Sequence, residues 1–129
     1  MSIWRRVVLA SIAALAVPAF AQSGSGWHGI GQAPAPSDSG SVTVPATGEP
    51  RDREIMFCVE GHAMRLNTAM LHFQGGGTQE IRVNERIGDG GCSRGKTLSG
   101  HNHAVESAEV SYDQAVLAGG SVRVQLFVR

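Results

Sequence analysis

Residues 90–103, GGCSRGKTLSGHNH, hold much of the chain's chemically suggestive material. Gly90, four intervening residues, then Gly95, Lys96 and Thr97 spell a phosphate-binding loop. Such a loop needs a buried strand before it and a helix starting at its Lys-Thr step, so that backbone N–H groups and the helix N-terminus hold the phosphates. LSGHNH follows instead, with a glycine, an asparagine and one large apolar residue, and no helix starts there. The expectation is a glycine turn at residues 88–91 feeding a strand at about 94–99, with Arg94 and Lys96 toward solvent, and no nucleotide ligand. A second fingerprint, G-x-G-x-x-G at residues 24–29, works only between a strand and a helix. It lies in a segment that reads as a tether, so it predicts no dinucleotide.

Histidine and cysteine offer other chemistry. His101 and His103, two apart, project to the same side of an extended backbone. Neutral imidazoles are good ligands for copper, nickel or zinc, and His62 and His72 could join them, though nothing in the sequence places them nearby. The competing reading, a polar loop with two exposed histidines, is the expectation. Cys58 and Cys92 are the only cysteines. Redox pairs are usually close in sequence, as C-x-x-C, and these are far apart, so a structural disulfide is expected rather than a redox or metal thiolate pair. The bridge closes a loop of about 35 residues, worth roughly 3–4 kcal/mol in the chain-entropy model. Serine, histidine and aspartate occur, but no nucleophile elbow, H-E-x-x-H helix or close acidic pair supports a mechanism. The expectation is a protein that is not an enzyme and needs no cofactor.

The elements that must position these residues show in the periodicity. REIMFCVE alternates with Ile55, Phe57 and Val59 on one side. QEIRVNERI alternates through Ile81 and Val83. SAEVSYD places Ala108, Val110 and Tyr112 together, and SVRVQLFV does so with Val122, Val124, Leu126 and Val128, leaving Arg123 and Gln125 opposite. Period two with β-branched and aromatic residues predicts half-buried strands, and glycine clusters at 75–77, 88–91 and 119–120 punctuate them. AMRLNTAMLHF, residues 63–73, fits a helix with Ala63, Leu66, Met70 and Phe73 on one stripe. It also fits strands, Met64 and Leu66 first and Ala69, Leu71 and Phe73 after a phase change, with a bulge or corner near Asn67. Its strand-rich neighbours favour strands. The fold class expected is all-β, a small antiparallel sandwich of six to seven short strands.

Upstream the chain changes character. Arg5 and Arg6 precede an apolar run, VVLASIAALAV, then Pro18 and Ala19-Phe20-Ala21. This is the pattern of a secretory signal peptide at 1–21, cleaved before Gln22. Spanning a bilayer takes ~20 apolar residues, so no stable membrane insertion is expected after cleavage. Residues 22–50 hold four of the five prolines and few large apolar side chains, which predicts a disordered linker. Residues 51–129 contain no proline and equal numbers of acidic and basic residues, giving no basic excess for nucleic acid. They are expected to form the domain.

From Arg53 the chain resembles a group of uncharacterised small exported bacterial β-rich proteins, a domain of unknown function. The similar features are the R-x-I-x-x-C start at Arg53, Ile55 and Cys58, the V-x-x-x-I-x-x-G-G-C-S-R centre from Val83 to Arg94, and the L-x-G step from Leu98 toward the V-x-Y strand at Val110 and Tyr112. Where similar sequences tend to carry Arg after that step, this chain has His101-Asn102-His103. The resemblance implies a small β-sandwich with paired cysteines and implies no activity. The expectation is therefore a periplasmic or secreted module that binds an envelope protein or polymer. The alternative is a small periplasmic metal-binding protein using His101 and His103.

Overall fold

The computed structural model describes residues 26–36, 39–99, 104–113 and 121–129. The segment expected as a signal peptide, and His101 and His103, lie outside them. The strands are β1 (His28–Ala35), β2 (Ser41–Pro45), β3 (Glu54–Glu60), β4 (Met64–Phe73), β5 (Thr78–Ile87), β6 (Lys96–Thr97), β7 (Val105–Tyr112) and β8 (Val122–Val128). They form two antiparallel four-stranded sheets, ordered β1-β8-β3-β6 and β2-β7-β4-β5. The chain is a small all-β sandwich, and its described residues form eight strands where about six to seven were expected.

The alternating residues form the core between the sheets. Ile55, Phe57 and Val59 from β3 and Val122, Val124, Leu126 and Val128 from β8 face Ala108, Val110 and Tyr112 from β7 and Ile81, Val83 and Ile87 from β5, all buried. Residues 64–73 form one strand, not a helix. Met64 and Leu66, then Ala69, Leu71 and Phe73, are buried. The phase changes at Asn67, where the β4 register shifts against both β5 and β7. On β5 the extra residue is absorbed with Asn84 in the left-handed region at φ 46°, a conformation that one type of bulge uses.

The linker expectation is corrected by the structure over most of its length. Within residues 22–50, β1 pairs with β8 and β2 pairs with β7, so each sheet gains an outer strand. Ile30, Ala35, Val42 and Val44 are buried in the common core. The domain therefore begins before His28, not at Arg51. Composition misled because an edge strand has a ladder on one side only. It tolerates proline with its nitrogen away from the neighbour, and three or four alternating apolar residues suffice to anchor it.

β1 and β2 also join the two sheets along this side of the sandwich. The Thr47 N–H donates to the Ile30 carbonyl at 2.9 Å, and the Tyr112 hydroxyl donates to the Pro36 carbonyl at 2.6 Å. Gly31 permits this approach, since a Cβ there would overlap the Pro45 carbonyl oxygen. Gly31→Ala is expected to force the two strands apart and lower stability by about 2–3 kcal/mol, the upper range for overpacking. Urea denaturation of the two proteins checks this.

The opposite side is stitched by side chains. The Gln79 Nε2 donates to the Thr97 carbonyl at 3.0 Å while its Oε1 accepts from the Ser99 N–H at 3.0 Å. Glu85 accepts from the Arg94 N–H at 3.2 Å and pairs with Lys96 at 3.3 Å. Residues of β5 thus hold the edge segment that carries β6.

Candidate functional site: the outer face of the β3–β8 sheet

Residues that alternate away from the core on β3 and β8 pair across the outer face: Met56 with Phe127, Cys58 with Gln125, Glu60 with Arg123. Outer faces of antiparallel sheets are usually polar, yet this one buries Phe127 to 5 % and Gln125 to 6 % exposure. Beyond β3, Cys92 lies opposite Cys58 and the two form a disulfide with Cα atoms 4.0 Å apart. The Val59 N–H donates to the Gly91 carbonyl at 3.0 Å, and the Ser93 N–H to the Phe57 carbonyl at 2.7 Å. The bridge therefore sits between two backbone ties. Cys58 is buried and Cys92 is exposed.

A shallow groove of about 210 Å³ runs over this bridge, lined by Met56, Cys58, Glu60, Gly90, Cys92, Gln125 and Phe127. Its polar groups are few. The Gln125 Nε2 donates to the Gln32 Oε1 at 3.5 Å, a long contact, and Arg123 pairs with Glu60 at 3.7 Å. At the end of the same sheet the Arg129 guanidinium lies 4.4 Å over the Trp27 ring, a cation–π contact. Its Nε donates to Glu54 at 2.6 Å. Gly95 packs against the indole.

The face can bind apolar groups and can undergo thiol–disulfide chemistry. The neighbouring hydroxyl, Ser93, accepts from the Phe57 N–H at 3.0 Å and donates to the Arg94 carbonyl at 2.9 Å, both backbone groups.

The other sequence candidates are dispersed. Lys96 and Thr97 are strand residues opposite Ile55 and Glu54, so Gly95 opens a strand and not the helix that a phosphate loop requires. The expected strand at 94–99 is regular only at these two residues. Lys96, expected toward solvent, is half-buried because Glu85 draws its ammonium back to β5. His62 is exposed just before β4, and His72 is half-buried at that strand's far end. At this end the Gln74 N–H donates to the Ala104 carbonyl at 2.9 Å, so Ala104, just before β7, lies toward the His72 end of β4 rather than the His62 end. Among the described residues no three of His, Cys, Asp and Glu gather as a metal site.

Sequence reading reached the bridge but missed the groove, placing Gln125 simply opposite the core. A signal was present. IMFCV and LFV are unbroken apolar runs, and such runs mark strands covered on both faces.

Fold and site together define a small β-sandwich module stapled by one disulfide across a sheet edge. No curated protein and no solved structure matches the chain. A family model does match, over residues 7–128, and the chain belongs to that family, a domain of unknown function (DUF2541). The likeness seen from Arg53 onward thus extends upstream through β1 and β2.

Proposed function

We propose that this chain is an exported, non-enzymatic module that acts by binding an envelope protein or polymer through the outer face of the β3–β8 sheet. The observation that carries the reading is the apolar groove built by Met56, Phe127 and the disulfide on a face where polar residues are the rule. Export is supported by the leader pattern at 1–21 and by a disulfide, which persists in oxidising compartments such as the periplasm.

The test compares capture from envelope extract by the mature chain, by Met56→Glu and by Arg86→Glu, a control on the other sheet. The reading predicts a stoichiometric partner retained by wild type and Arg86→Glu and reduced at least tenfold by Met56→Glu, with all three melting alike. Equal capture by all three contradicts it.

The second reading, a metal-binding protein using His101 and His103, gains support from the placement of His72 at the end where the chain enters β7. It predicts one copper or zinc per chain at micromolar levels or better, lost in His101→Ala and weakened in His72→Ala. Binding would fall below pH ~6 as imidazole protonates. The binding-module reading predicts a titration without a stoichiometric endpoint.

A further inference from the structure

We propose that the Cys58–Cys92 bond is a thiol–disulfide exchange site, attacked at the Cys92 sulfur, and that its opening releases residues 88–99 from the edge of β3. This holds whether or not the outer face binds a partner.

The two sulfurs are unequal. Cys92 is exposed on the edge segment, whereas Cys58 is 3 % exposed on a strand hydrogen-bonded along both sides. The groove reaches both residues. Exchange proceeds by attack of a thiolate on an accessible sulfur. An incoming thiolate forms a bond to the Cys92 Sγ, the S–S bond breaks, and its electron pair leaves on the Cys58 Sγ, which takes a proton from water. A second thiolate, from a dithiol donor or another small thiol, then attacks the donor sulfur of the mixed disulfide. Cys92 leaves as thiolate and is protonated. The protein disulfide is reduced to two thiols, and two donor thiols are oxidised to one disulfide.

The consequence follows from how little else fixes this segment. Against β3 it has two residues of regular strand, Lys96 and Thr97. Around them are isolated backbone bonds, Gly90 to Val59, Val59 to Gly91, Ser93 to Phe57 and Leu98 to Arg53, and two side-chain bonds, from the Phe57 N–H to the Ser93 Oγ and from the Gly61 N–H to Asp89. Its ties to β5 run through Gln79 and Glu85 at exposed or half-exposed positions. Leu98 is its buried large apolar residue. Gly88, Gly90, Gly91 and Gly95 gain much backbone freedom on release. A segment with few buried contacts and exposed hydrogen bonds is the kind that opens locally while the rest stays folded. The crosslink is what suppresses that opening.

The mature chain is incubated with reduced glutathione in native buffer, quenched, alkylated and mapped by mass spectrometry. The glutathione adduct is expected on Cys92 with Cys58 alkylated, at a rate proportional to glutathione. After full reduction with dithiothreitol, trypsin is expected to cut after Arg94 and Lys96 at least tenfold faster than in the oxidised protein. Arg82 and Arg86 stay protected and the β-sheet circular dichroism is kept. The proposal is overturned by an adduct on Cys58, by a rate independent of glutathione, by an unchanged tryptic pattern, or by loss of the whole β signal on reduction.

Discussion

A chain that starts at Arg51 is expected to be unfolded. Sequence composition places the domain boundary there, but the sandwich does not. Removing residues 1–50 deletes β1 and β2, and with them buried Ile30, Val42 and Val44. Each such side chain contributes about 1.5–3 kcal/mol on burial. The three together amount to roughly 5–9 kcal/mol, against the ~5–15 kcal/mol net stability of an ordinary domain. The deletion also bares the β1-facing edge of β8 and the β2-facing edge of β7, two apolar strands that were central and become edges. Circular dichroism and proton NMR of residues 51–129 should show a disordered or aggregated chain, while residues 22–129 give a cooperative transition. A folded 51–129 fragment would contradict this account of the fold.

Removal of the staple has the next largest effect. Cys58→Ala with Cys92→Ala frees a loop whose ends are 34 residues apart in sequence. The denatured chain gains about 3–4 kcal/mol of conformational freedom in the chain-entropy model. At about 4 °C or more per kcal/mol for a domain of this size, Tm should fall by about 15 °C. The variant should still fold, because the bridge lies on the outer face and the interior residues Phe57, Val59 and Leu126 are untouched. Differential scanning calorimetry of both proteins checks the shift, and equal Tm values would show that the bridge closes no costly loop.

What the sequence made legible follows from how each feature is encoded. Strands with one face in the core reveal themselves by alternation, so β3, β5, β7 and β8 could be read directly, although β3 and β8 are also covered over part of the outer face. The phase change across Asn67 even located the β4 bulge, because a one-residue insertion flips every side chain beyond it. β1 and β2 were hidden by their prolines and glycines. Pro34 and Pro45 look like breakers until an edge position leaves their missing N–H groups unneeded, and Gly31 looks flexible until Pro45 lies against it. The disulfide was legible from the cysteine count. The groove above it was not, because a sheet's outer face is assembled from residues distant in sequence, Met56, Cys92 and Phe127, whose adjacency is fixed by strand order alone.

The claim on which the account turns is that an exported chain is delivered as an oxidised sandwich module. Intact mass spectrometry of protein recovered from the periplasm or medium, before and after reduction, tests it most directly. The account predicts a chain beginning at Gln22, whose mass rises by two hydrogens on reduction. A product that retains residues 1–17, or one that carries two free thiols when isolated, would contradict it.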